Sequence, residues 1–263
     1  MDFDLSEWLN LAARWVHVFA GILWVGQTYF FTWLDHKLHA GEADSVWMVH
    51  SGGFYVVGKR ATLGVSPAAV RWFRWEAAFT WLSGMFLLVL MYYFGGLLLE
   101  ADSKLSLGTG IGIGLGVLVV GWLVYDRLWQ SPLRKAEAET AALCFALLAA
   151  AVYGLTQVFS GRAAYMHVGA LLGTIMAANV WMRILPAQRR MIAAAAEGKV
   201  PDATLGAGAK LRSKHNTFMV VPVVFIMISN HFPVATYGSA YNGVILIALI
   251  LLGWAAAWVL RRA

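Results

Sequence analysis

Apolar residues run along this chain in seven long blocks, at about 8–34, 76–99, 106–128, 138–160, 164–186, 216–233 and 241–260, separated by polar and basic stretches. A helix needs about 20 apolar residues to cross about 30 Å of hydrocarbon, and each block approaches or exceeds that length. The pattern predicts an all-α, polytopic transmembrane helix bundle of about seven spans, forming one integral membrane domain over residues 1–263. An odd number of spans puts the termini on opposite sides. The first block is read as a retained span rather than a cleaved signal: Met1–Glu7 carries acids in place of a basic n-region, the apolar stretch is too long, and no small-residue cleavage site follows it.

Basic residues orient the bundle. One side receives Lys37, Lys59, Arg60, Arg71, Arg74, Arg127, Arg134, Lys135, Arg183, Arg189, Arg190, Lys199, Lys210, Arg212, Lys214, Arg261 and Arg262; only Arg14, Lys104 and Arg162 fall on the other, beside Asp2, Asp4, Glu7, Glu100 and Asp102. The first side is therefore expected to be cytoplasmic, with the N-terminus outside and the C-terminus inside, in a bacterial-type inner membrane. The long connections at about 35–75 and 187–215 then both lie in the cytoplasm. With Trp47, Phe54, Tyr55, Trp72, Phe73 and Trp75 among basic residues, they are expected to form interfacial helices at the lipid surface.

Composition narrows the function classes. With 60% hydrophobic and 13% charged residues, a water-soluble domain is excluded. The net charge of +6 is spread over short loops rather than one patch, so nucleic acid is not the expected partner. The single cysteine, Cys144, excludes a disulfide framework, a cysteine zinc site and a covalent c-type haem. Gly108, Gly112 and Gly116, four residues apart with Gly110 and Gly114 between them, are read as a close helix-packing face, since a phosphate-binding loop would need a strand before it and a helix after it.

Polar side chains at membrane depth are costly and mark function or pairing. They fall into two groups by depth. Toward the outer face lie His17, His167 and His231; toward the cytoplasm lie Gln27, Thr28, Asp35, His50, Glu76, Asn179, Arg183, His215 and Asn216. His215 and His231 are 16 residues apart, hence on the order of 24 Å on one helix, and serve different centres. The outer histidines are candidate ligands of a non-covalent haem b, which requires little beyond an axial imidazole. Competing readings stand beside these: buried histidines bonded to a backbone carbonyl at a helix break, solvated loop positions for His36 and His39, interfacial positions for His50 and His215, and a helix-end ion pair with Arg71 or Arg74 for Glu76.

Several segments carry a resemblance: WLNLAARWVHVFAGILWVGQTYFFTWLD (8–35), MVHSGGFYVVGK (48–59), WFRWEAAFTWLSG (72–84), YDRLWQSPL (125–133), AYMHVGALLGTIMAANVWMRILPAQRR (164–190) and LRSKHNTFMVVPVVFIMISNHFP (211–233). Together they resemble the membrane domain of the PuuD-type urate hydroxylases, and the histidines at 17, 50, 167, 215 and 231 match that pattern. The resemblance implies an integral-membrane enzyme that oxidises urate to 5-hydroxyisourate and passes electrons to a cytochrome c, there a fused C-terminal domain. This sequence stops at Ala263, so a separate cytochrome c is expected. It also departs from the pattern after GGFY, which there continues with His and then Glu-Lys, whereas Val56, Val57, Gly58 and Lys59 follow here and a polar pair is lost.

Two functions follow. In the first, an oxidoreductase binds a purine anion near the cytoplasm through Gln27, Asn179 and Arg183, with His50, Glu76 or His215 as general base. Electrons then leave by way of His17, His167 and His231. In the second, the chain is a non-enzymatic haem b or structural subunit of a larger electron-transport complex.

Overall fold

The computed structural model describes residues 4–39, 45–60, 64 and 66–262. Among them are seven long helices: α1 (Leu5–His39), α2 (Trp75–Phe94), α3 (Leu107–Gln130), α4 (Glu137–Val158), α5 (Gly161–Ala196), α6 (Ala203–Ser229) and α7 (Asn242–Leu260). All but α6 are long and apolar enough to cross a membrane, and the protein is a multi-pass membrane protein. Backbone hydrogen bonds closed within each helix make this architecture possible in lipid, where nothing else would satisfy them.

The sixth expected block, 216–233, belongs to a longer helix that is only partly apolar. Arg212, Lys214, His215 and Asn216 occupy the middle of α6. This helix nevertheless runs along the bundle, from Asp126 of α3 at Arg212 to Gly169 of α5 at Ile226 and Met227. Packed against its neighbours, it tolerates polar side chains that find partners there.

The core is built around α5, which packs against α2, α3, α4 and α6. Its Ala163, Ala164, Tyr165, His167 and Val168 are fully enclosed. α1 lies at the periphery against α2, with Trp8, Trp15, Phe19 and Ile22 on its outer face, where a bilayer would cover them. Ser106 and Ser160 cap α3 and α5, accepting the amides of Thr109 and Ala163, each at 3.2 Å. Two stretches wind as π-helix, Val89–Phe94 in α2 and Asn179–Ile184 in α5. The second ends just before Pro186, whose ring cannot sit against the carbonyl of Met182 four residues back; the widened turn absorbs the conflict.

The first long connection differs from the expectation of interfacial helices, and the second is helical but for a short turn. Residues 46–57 form an antiparallel hairpin, β1 (Val46–His50) with β2 (Gly53–Val57). Ser51 and Gly52 at its tip have φ of 50° and 76°, the double positive that a two-residue type I′ turn requires. Trp47 and Val49 pair with Val56 and Phe54, so these four share one exposed apolar face. The second connection shrinks to residues 197–202, because α5 continues to Ala196 and α6 begins at Ala203 behind the capping carboxylate of Asp202.

The glycine face is also displaced. A Cβ at Gly108, Gly112 or Gly116 would meet nothing within 4 Å. The packing positions lie two residues out of phase: a Cβ at Gly110 would come within 3.0 Å of Leu98, and one at Gly114 within 2.8 Å of both His167 Nε2 and Tyr93 Oη. The four-residue period is right, but the frame depends on which side of α3 faces α5.

Candidate functional site

The end of the bundle that carries most of the basic residues holds a buried polar network. α3 supplies Tyr125, Asp126 and Trp129; α5 supplies Asn179 and Arg183; α6 supplies Arg212, His215 and Asn216. Spacings of three and four residues put each set on one side of its helix. Arg183 grips Asp126 with both arms of its guanidinium, Nε to Oδ1 at 2.8 Å and a terminal nitrogen to Oδ2. Arg212 donates to the same Oδ1 at 2.9 Å, to the Asp126 carbonyl at 3.3 Å and to Asn179 Oδ1 at 3.4 Å, with its guanidinium 4.9 Å from the centre of the Tyr125 ring. Two guanidinium groups on one carboxylate leave a formal surplus of one positive charge.

The Asn179 amide bonds Tyr125 Oη at 3.0 Å and Asn216 Oδ1 at 2.9 Å, and Asn216 donates to the Met176 carbonyl at 3.0 Å. Asn179 can only donate to Tyr125 Oη, so among the described residues the acceptor for the phenol hydrogen is His215 Nδ1 at 2.7 Å. That makes Nδ1 the acceptor and places the proton of the neutral ring on Nε2. His215 therefore presents a donor, packed 4.1 Å from the Trp129 ring.

The remaining residues expected at this end lie outside that network. Gln27 of α1 donates to Glu76 Oε1 of α2 at 3.1 Å, so the partner of Glu76 is Gln27 rather than Arg71 or Arg74. Thr28 turns back onto the Trp24 carbonyl at 2.8 Å. Asp35 takes Lys59, which follows the hairpin, and Lys210 of α6 at 3.0 Å, tying three segments together. His50 sits exposed in the hairpin, bonded to Ser51 Oγ at 2.8 Å, and joins neither group.

Toward the other end, His17 contacts α2 through Nδ1, 2.8 Å from the Thr80 carbonyl and 3.2 Å from Ser83 Oγ, with its ring against Gly84. His167 is fully buried. Its Nδ1 donates to the Ala163 carbonyl at 2.8 Å and its Nε2 accepts Tyr93 Oη at 3.2 Å, among the rings of Tyr92, Tyr93 and Phe159. His231 is exposed in the turn after α6. The rings at 17 and 167 meet α2 at Gly84 and Tyr93, levels roughly 13 Å apart along that helix, so the three histidines do not converge. Among the described residues no three His, Cys, Asp or Glu side chains gather into a metal-holding group.

A haem iron needs a neutral imidazole with a free lone pair. His17 fits: a backbone carbonyl holds Nδ1–H, the outer bond that orients a ligating imidazole, and Nε2 keeps its lone pair. His167 has the same tautomer, but the Tyr93 hydroxyl occupies its lone pair.

Sequence reasoning missed Tyr125, Asp126 and Arg212. Asp126 lies inside an apolar block, the same signal of an acid at membrane depth that singled out the others, but its neighbour Arg127 disguised it as loop charge. Arg212 was counted only toward topology. No curated protein and no solved structure shows a significant match to this chain. The model of the urate oxidase N-terminal family matches residues 4–262, nearly the whole bundle, and the chain belongs to that family.

Proposed function

We propose that this protein is a membrane-bound oxidoreductase that converts urate into 5-hydroxyisourate and hands the electrons to a separate cytochrome c. Urate gains one oxygen from water and releases two electrons and two protons. The observation that carries this reading is the surplus positive charge at the basic end, where Asp126 shares two guanidinium groups. Such a charge in a low-dielectric setting favours a purine anion. Arg183, with 38% of its side chain exposed against 5% for Arg212, is the cation positioned to meet a ligand. His215 offers Nε2–H to a substrate oxygen, while Glu76, with one carboxylate oxygen unpartnered, is the better proton acceptor.

We place this end in the cytoplasm of a bacterial-type inner membrane, on the distribution of Lys and Arg. His17 is the residue that would hold haem b, and the group when bound would supply one-electron transfer toward the acceptor. The test is reduction of a soluble cytochrome c by detergent-solubilised protein on addition of urate. No urate-dependent reduction overturns the enzyme reading.

A second reading is a haem b or structural subunit of a larger electron-transport complex. One observation favours it: Asn179, Asn216, Arg212 and Asp126 are bonded to one another as a closed structural core would be. A reduced-minus-oxidised spectrum that does not change with urate supports that reading.

A further inference from the structure

Among the described residues, four buried side-chain polar atoms have no hydrogen-bond partner: Arg74 Nε, Glu76 Oε2, Trp181 Nε1 and Trp254 Nε1. Three of the four belong to one junction, where α1, the start of α2 and the π turn of α5 meet. The Arg74 guanidinium lies 5.4 Å from the Trp75 ring, the Trp75 ring lies 5.9 Å from that of Trp181, and Glu76 follows Trp75 in the chain. Gln27 of α1 closes the other side through Glu76 Oε1. Buried polar groups are nearly always satisfied, and a cluster of exceptions calls for a partner from outside the chain.

The π turn separates this junction from the polar network described above. Asn179 and Arg183, four residues apart, turn toward α3 and α6, whereas Trp181 between them turns toward Trp75 of α2. None of the fully buried polar atoms of the network lacks a partner. The junction has an acceptor and two donors to spare, with Trp24, Trp72 and Trp181 packed around a small core of Ala77, Val180 and Leu185.

We propose that this junction binds the lactam edge of a flat oxo-heterocycle, with Glu76 and Trp181 as its recognition residues. A lactam presents an N–H beside a C=O. The Glu76 carboxylate accepts the first, and the indole N–H of Trp181 and Nε–H of Arg74 donate to the second. The tryptophan faces offer stacking surface to a planar ring. An oxopurine carries several such edges, so the inference deepens the oxidoreductase reading and rests on it for the substrate class. The charge surplus beyond the π turn attracts the anion, and the junction tells a lactam from an N-alkylated ring.

Titration calorimetry on the full-length, detergent-solubilised protein tests this with xanthine, which has lactam edges, and caffeine, which has the same ring system with those N–H groups methylated. Xanthine is expected to bind and caffeine to bind far more weakly. Glu76→Gln should weaken xanthine about 10-fold or more, and Trp181→Phe, which keeps an aromatic ring, about 3- to 10-fold. The KM for urate should rise in parallel. Xanthine affinity unchanged in both variants overturns the proposal, as does equal binding of xanthine and caffeine or no binding of xanthine. The two readings separate cleanly: urate turnover with an unaltered KM in both variants removes the recognition site and keeps the enzyme, whereas Glu76-dependent xanthine binding without urate turnover keeps the site and removes the enzyme.

Discussion

Arg212 of α6 donates to the Asp126 carboxylate of α3 at 2.9 Å, across 86 residues of sequence, with only 5% and 6% of the two side chains exposed. Removing Arg212 leaves Asp126 paired with Arg183 but strips the enclosed Asn179 Oδ1 of its donor, and a buried polar group left so costs about 1–3 kcal/mol. Arg212→Ala is expected to reduce stability by that order in thermal unfolding of the detergent-solubilised protein. Arg183→Ala should cost less than half as much, since Arg183 is 38% exposed and its loss leaves Asp126 paired with Arg212. Equal losses in the two variants would contradict this division of roles.

The glycines of α3 give a second prediction. Gly114→Ala puts a methyl group 2.8 Å from His167 Nε2 and from Tyr93 Oη, and overpacking of this kind costs about 1–3 kcal/mol. Gly112→Ala meets nothing within 4 Å and is expected to be neutral or slightly stabilising, because alanine is the better helix former. Melting temperatures of the two variants decide it; a destabilised Gly112→Ala beside an unaffected Gly114→Ala would reverse the assignment.

Histidine tautomers give a third. His17 shows a lone pair on Nε2, His167 shows one already taken by Tyr93, and His215 shows a proton. Protein purified from haem-replete cells is therefore expected to have a Soret band that weakens in His17→Ala and persists in His231→Ala. A Soret band unaffected by His17→Ala, or its absence in the wild-type protein, would rule out His17 as the ligand.

Orientation gives a fourth. A reporter active only after export, fused behind residue 262, should stay silent, and the same reporter fused ahead of α1 should be active. The opposite pattern would invert the bundle and place the Asp126 network on the outer side.

The sequence by itself was enough for the membrane class, the positions of six of the long helices and the family, because a span must be apolar over a fixed length whatever packs around it. It also located Asn179, Arg183 and His215, since polar groups stand out against an apolar background. The hairpin at 46–57 was written in the chain too, as two short runs rich in Val and aromatic residues around Ser51–Gly52, but Trp47, Phe54 and Tyr55 read equally well as part of an interfacial helix. What only the tertiary structure decided was pairing. A helical repeat says which residues share a face and not which face meets a neighbour, so the glycine frame of α3 was set by α5. Gln27 and Glu76 were separated from Asn179 by the π turn, which widens ahead of Pro186. That Arg183 and Arg212 share the single carboxylate of Asp126 could not be read from the chain either, because which buried charges balance one another depends on distances that the order of residues does not contain.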